Sequence, residues 1–157
     1  MDNDRKKPPP VRFFRILGQG ALLLALLSGS KASLLAQDRA VWKPVPFAIL
    51  KFDETAPKSW NIYHTEKRGI LLVRLWQRCL LIDLNEQEVY DINPKSLKPA
   101  GEDVEMTADD IPDKTVAISE WKARDVGPMR RVRFRFGKDG HFLEIQIPLK
   151  VDGKTLY

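Results

Sequence analysis

The chain has a single cysteine, Cys79, among its 157 residues. One thiol cannot form an internal disulfide, so packed apolar residues must hold the folded part together. Cys79 sits at the start of an apolar run, where cysteine usually behaves as a small apolar side chain. We therefore interpret Cys79 as a strand residue of the core, with a reactive or cross-linking thiol as the alternative.

Histidine is also scarce, with only His64 and His141. Neither lies at metal-ligand spacing from the other or from Cys79, so no metal site is predicted. The sequence also lacks the H-E-x-x-H, G-x-S-x-G and glycine-rich phosphate-loop motifs. We predict no catalytic residue and no cofactor, and we lean against an enzyme. A Ser/His/Asp site assembled across the fold stays open, because such sites need not be local in sequence.

No apolar run is long enough for a spanning helix, which needs about 20 residues. The longest run in the N-terminal region covers residues 21–27, and Lys31 interrupts its extension. A basic, proline-rich stretch precedes the run and small residues come after it. This order is typical of a secretory signal peptide.

We therefore predict a helical signal segment over residues 1–36, cleaved after Ala32 or after Ala36. The alternative is an uncleaved N-terminal membrane anchor. Export predicts a periplasmic or extracellular location, with the membrane needed only for export.

Without the predicted signal segment, the chain has almost no excess of positive charge. The whole chain has a net charge of +5 and a pI near 9.4. Residues 1–32 hold six of the 26 basic and two of the 21 acidic residues, so 20 basic and 19 acidic residues remain, a net charge of +1. Nucleic-acid binding depends on a broad positive surface. No nucleic-acid partner is predicted.

From residue 37 onward the chain is a series of short aromatic and β-branched runs separated by turn signals. Counting these runs gives seven or eight strands and no convincing long helix. We predict one mainly β domain over residues 37–157, built of antiparallel meanders and hairpins. A β-sandwich and a small β-barrel both fit this pattern.

Residues 69–94 predict a three-strand meander. A two-residue turn at Gln77-Arg78 joins the first two strands, although these residue types seldom form such turns. Apolar side chains then share one buried face, as a sheet packed on one side requires. In this register Leu75 faces Leu80, Val73 faces Ile82 and Leu71 faces Leu84, and Tyr90 and Ile92 continue the face.

Residues 93–114 contain three prolines, little periodicity and six acidic residues. We predict a long acidic loop here, with one helical turn at residues 107–110. The spacing of the acids lacks the alternating pattern of a calcium loop, which favours a solvated loop over a metal site. The acidic residues are Glu102, Asp103, Glu105, Asp109, Asp110 and Asp113.

Residues 130–149 predict a β-hairpin with a two-residue turn at Asp139-Gly140. Val132, Phe134 and Phe136 then point inward, with Arg135 opposite Glu144 on the other face. The outward arginines are either a solvated face that discourages edge-to-edge pairing or a binding surface. The candidate binding residues are Arg131, Arg133 and Arg135.

Two functions remain open on the sequence alone. The first is an exported, non-enzymatic binding or envelope-accessory module whose arginine row contacts an anionic envelope component or another protein. The second is a small exported hydrolase or ligand carrier with a site on a loop or at a barrel mouth. A deep pocket holding His64 or His141 beside an acid favours the second, whereas a filled core with a flat surface favours the first.

Overall fold

Antiparallel β-strands make up most of the chain that the computed structural model describes, which is residues 34–35 and 39–156. The predicted signal segment lies outside the described residues except for Leu34 and Leu35. The strands are β1 (Arg39–Pro44), β2 (Ile49–Phe52), β3 (Trp60–His64), β4 (Ile70–Leu75), β5 (Cys79–Asp83), β6 (Glu88–Ile92), β7 (Lys98–Ala100), β8 (Asp103–Thr107), β9 (Ile118–Val126), β10 (Met129–Phe136), β11 (His141–Pro148), β12 (Lys150–Val151) and β13 (Lys154–Thr155).

The strands form a seven-stranded sheet, a four-stranded sheet and the small β12–β13 hairpin. The larger sheet has the order β6-β5-β4-β3-β1-β8-β7 and the smaller one the order β2-β11-β10-β9. Strand β1 pairs with β8 over its first four residues and with β3 at its last two. The larger sheet is thereby curled into a half-barrel. The prediction of a mainly β, antiparallel fold is confirmed, and a half-barrel is consistent with the predicted sandwich or barrel class.

One core is shared by the two sheets. Apolar residues of β4, β5 and β6 pack there against apolar residues of β2, β10 and β11. Each aliphatic or aromatic side chain buried in this way stabilises the fold by about 1.5–3 kcal/mol. All six side chains predicted for the buried meander face belong to this core, Leu84 as a partly buried member.

A second core lies on the opposite face of the larger sheet. It contains Leu72 and Leu81 from the opposite face of the meander, and Trp42 from β1. The meander is therefore buried on both faces, whereas the sequence predicted one. Tyr90 and Ile92 belong to this second core, so the prediction that they continue the first face is wrong.

The predicted meander is present, but its first turn lies one residue earlier than expected. Leu75 and Arg78 exchange backbone hydrogen bonds, which places the turn at Trp76-Gln77. Consequently Val73 faces Leu80 and Leu71 faces Ile82, a shift of two residues from the predicted register. A shift of two leaves every side chain on its predicted face, because the side-chain period of a strand is two.

The prediction of a long acidic loop over residues 93–114 is wrong for most of the segment. The segment contains the β7–β8 hairpin, flanked by 3-10 turns at Pro94–Ser96 and Ala108–Asp110. Val104, Met106 and Ile111 are buried in the second core. Their burial stabilises the ordered conformation of the segment. The helical turn predicted at its end is confirmed, and Asp110 closes that turn by accepting hydrogen bonds from Thr107.

Candidate functional site

The predicted hairpin of residues 130–149 is formed by β10 and β11. Val132, Phe134 and Phe136 point into the first core, as predicted. The turn has four residues, 137–140, rather than two, and the register is again shifted by two. As a result Arg133, not Arg135, lies directly opposite Glu144.

Glu144 is the one acid that β11 places among the predicted arginines, and it is only 7 % exposed. Its Oε2 lies 3.0 Å from Nε of Arg133, and its Oε1 lies 3.7 Å from Nε of Arg131. Arg135 pairs separately with Glu120, with Nε to Oε2 at 2.8 Å. A nearly buried carboxylate needs such cationic partners. All three predicted arginines are therefore engaged with carboxylates within the sheet rather than freely solvated.

Strand β9 adds two cations that the sequence pattern did not single out. Lys122 lies directly opposite Arg133, and Arg124 lies directly opposite Arg131. Both are exposed, and among the described residues no carboxylate comes within ion-pair distance of either one. Like charges directly opposite each other destabilise a strand pair.

The outward side of the four-stranded sheet thus forms one charged surface, which we call the basic face. It has six basic and two acidic members, a net charge of +4. The rest of residues 33–157 carries 14 basic and 17 acidic residues, a net charge of −3. The members of the basic face are Lys51, Glu120, Lys122, Arg124, Arg131, Arg133, Arg135 and Glu144.

A cleft of about 680 Å³ lies elsewhere, between β1, the loop after β3 and the β12–β13 hairpin. His64 lines it together with two acids, Glu66 and Asp152. Apolar side chains of Val41, Val151 and Leu156 contribute to the same wall. The basic residues that line it are Arg39, Lys43, Arg68 and Lys154.

Burial lowers the pKa of His64, and the charge of Lys43 acts in the same direction. A hydrogen bond with the backbone of Thr65 and the charges of Asp152 and Asp103 oppose that shift. The imidazole is therefore neutral near neutral pH. No hydrogen bond joins it to a carboxylate or hydroxyl in the part of the chain that the structure describes. The catalytic triad left open by the sequence is not assembled around His64 there.

His141 lies at the end of the β10–β11 hairpin rather than in the cleft. Its Nδ1 is 3.1 Å from Oδ2 of Asp53, and its ring stacks on Phe52 at 5.6 Å between centroids. The other oxygen of Asp53 accepts the backbone N–H of Phe142, so the carboxylate also fixes the chain after β2. Within residues 34–35 and 39–156, no three His, Cys, Asp or Glu side chains are grouped as metal ligands would be.

Cys79 is fully buried in the second core. Burial raises the pKa of its thiol to about 12, so almost none of the reactive thiolate is present at neutral pH. We expect iodoacetamide to leave Cys79 unlabelled in the native protein and to label it once denaturant is added. Rapid labelling without denaturant would contradict this packing. Mass spectrometry after timed exposure measures the difference.

No protein family matches the chain, and no curated protein or solved structure is significantly similar to it. In addition, no helix within the described residues has both the length and the apolar content needed to cross a membrane. The chemistry of the basic face and of the cleft is what supports a function.

Proposed function

We propose that this chain is an exported, non-enzymatic binding module whose basic face binds an anionic partner in the cell envelope. Its two sheets then form a β-sandwich in which the larger sheet is curled. Export is supported by the order of basic, apolar and small residues in the first 36 positions.

The observation that carries this proposal is the pair of cations on β9, Lys122 and Arg124, with which no carboxylate in the described part of the chain forms an ion pair. Lys122 and Arg124 each lie opposite an arginine, an arrangement that weakens the β9–β10 pairing. An anion seated over these positions relieves the repulsion, so binding and local stability favour the same state. The net charge of +4 on one side of a domain that is otherwise −3 also orients the molecule toward a negative surface.

Replacing Lys122 and Arg124 with serine tests the proposal. Both side chains are exposed, and neither has a carboxylate partner among residues 34–35 and 39–156, so we expect the fold to persist and the salt needed for elution from a sulfonate matrix to fall sharply. The matched control replaces Lys95 and Lys98, two exposed lysines associated with the larger sheet, and removes the same charge. An equal fall in both variants means that net charge alone governs retention, and the proposal fails.

The cleft supports a second candidate, a carrier of a small organic anion. It combines four basic and two acidic residues, a net charge of +2, with an apolar wall and a neutral histidine, which suits a ligand with one negative group and an apolar body. The hydrolase part of this alternative gains no support, because His64 has no hydrogen-bonded acid or nucleophile among the described residues.

Titration with 1-anilinonaphthalene-8-sulfonate, which has a sulfonate and an apolar ring system, tests this second candidate. We expect saturable binding that the Lys43→Ser and Arg68→Ser variants weaken, since each removes a cation from the cleft wall. The Lys95→Ser protein is the matched control. Equal binding by all four proteins would show that the dye sits elsewhere.

A further inference from the structure

Phe47 is the most exposed large apolar residue of the described chain, at 87 %. It follows Pro46 in the turn between β1 and β2, and its φ is +57°. A bulky side chain rarely adopts this left-handed conformation, whereas glycine takes it without strain. A turn with proline second and a positive φ third usually has glycine there. Phe47 therefore presents an exposed aromatic ring at a position where the backbone conformation favours glycine.

Phe47 adjoins further apolar side chains at one end of the four-stranded sheet. A groove of about 510 Å³ is lined by Phe47, Met129 and Pro148, with Pro128, Leu149 and Lys150 completing it. Its exposed lining is almost entirely apolar. Met129 lies opposite both Pro148 on β11 and Val126 on β9. We call Phe47, Val126, Met129 and Pro148 the apolar edge.

Three members of the apolar edge, Val126, Met129 and Pro148, lie on the same side of the sheet as the basic face, and Phe47 shares a groove with two of them. Met129 and Arg131 are two residues apart on β10, so their side chains point the same way and about 7 Å separates them along the strand. Next to the Met129–Val126 pair, the following pair on the same face of β10 and β9 is Arg131–Arg124. An apolar rim is thus continuous with a surface of net charge +4.

We propose that the basic face and the apolar edge together bind the surface of an anionic lipid bilayer. This rests on the proposed function, because it requires the basic face to bind anions, and it names the partner. Phosphate oxygens of the headgroups accept hydrogen bonds from the arginine and lysine side chains. Phe47 enters the boundary between headgroups and acyl chains, where amphipathic membrane-binding elements bury their apolar residues. The membrane then has a role beyond the export step that the sequence predicted.

The combination of features favours a bilayer over a soluble anionic polymer. A polymer contacts the charges alone and leaves the apolar edge in water. A bilayer interface accepts a protruding ring without a preformed pocket, and it supplies negative charge at the same depth. The strained backbone of Phe47 is then retained for the ring that it presents.

Co-sedimentation with vesicles tests the proposal. We expect the chain from Ser33 onward to pellet with vesicles of phosphatidylcholine mixed with phosphatidylglycerol, to remain in solution with phosphatidylcholine alone, and to be released by added salt. The Lys122→Ser/Arg124→Ser variant should bind about 25-fold more weakly, since each cation near an anionic surface contributes about five-fold. The Phe47→Gly variant should bind about ten-fold more weakly, because the ring is lost. Its melting temperature should not fall, because glycine suits the backbone.

The control for Phe47 is Trp76→Ser. Trp76 is also exposed, but it lies in the β4–β5 turn of the other sheet. Arg78, two residues after Trp76, packs over Phe136. Phe136 is at the opposite end of β10 from Met129, so this turn lies away from the apolar edge. We expect this variant to bind vesicles like the parent.

Three results would overturn the proposal. They are failure of the parent to pellet with the mixed vesicles, unchanged binding by Phe47→Gly, and an equal loss in Trp76→Ser. If any of these occurs while the parent still binds poly-L-glutamate and loses that binding in the Lys122→Ser/Arg124→Ser variant, the basic face binds a soluble polyanion and only the bilayer is wrong. If the Lys122→Ser/Arg124→Ser variant also elutes from the sulfonate matrix at the same salt concentration as the Lys95→Ser/Lys98→Ser control, the proposed function itself fails.

Discussion

Replacing Phe134 with alanine is expected to lower the free energy of unfolding by about 3–5 kcal/mol, the usual range for a buried phenylalanine. Phe134 is 1 % exposed and lies between the two sheets. Its ring stacks on Trp121 at 5.0 Å between centroids and is tilted against Phe136 at 5.8 Å. Truncation therefore removes apolar burial and two aromatic contacts and leaves a cavity that a sheet pair closes poorly.

Urea unfolding of the parent and of two variants measures this effect. The matched control is the same substitution at Phe47, which is almost fully exposed and should change the free energy of unfolding by no more than about 0.5 kcal/mol. Similar losses in Phe134→Ala and Phe47→Ala would contradict the placement of the first core between the sheets.

Which side chains of β4, β5 and β10 face the first core was predictable from the sequence, whereas the exact strand register and the orientation of Tyr90 and Ile92 on β6 were not. Side chains alternate strictly along a strand, so one correctly placed residue sets the face of its neighbours. The same alternation is unchanged by a shift of two residues. Register depends on the turn, and both turns differ from their prediction: Asp139-Gly140 lies within a four-residue turn, and Gln77 comes after Trp76 rather than beginning the turn.

The second core could not be predicted in the same way. It depends on the curling of the larger sheet, in which β1 pairs with two strands that are far apart in sequence. Within the segment predicted as a loop, Val104 and Met106 alternate with acids in the pattern of a half-buried strand. Nearby prolines and carboxylates concealed this pattern, and the long-range partner of β8 leaves no local signal.

The sequence predicted only part of the candidate site. The arginines of β10 are expected from alternation, but Lys122 and Arg124 depend on an irregularity in β9. The register shifts between Arg133 and Arg135, and Glu120 there has a φ of +57°. This β-bulge lets Ile118 and Trp121, three residues apart, both pack toward the first core. Strict alternation through this strand therefore assigns the wrong neighbours to its cations.

A chain that begins at Gln37 is expected to be less stable than one that begins at Ser33 by about 3–5 kcal/mol. Leu34 and Leu35 are each 4 % exposed and belong to the second core, with Trp42 and Ile111. Two buried leucines contribute about 4–10 kcal/mol, and the ordering of these two residues offsets about 2–4 kcal/mol. Urea unfolding of the two purified chains compares them directly.

The same comparison bears on the two cleavage positions that the sequence left open. Cleavage after Ala32 keeps both leucines in the mature chain, whereas cleavage after Ala36 removes them and exposes the apolar surface that they cover. Because the folded domain is more stable with them, we expect the protein to begin at Ser33 under the proposed export, which N-terminal mass spectrometry of the protein from its native host would detect. The control is the Leu34→Ala/Leu35→Ala variant of the longer chain, which should lose stability like the shorter chain. If the Ser33 and Gln37 chains unfold at the same urea concentration, the two leucines contribute nothing to the second core, and stability no longer favours cleavage after Ala32.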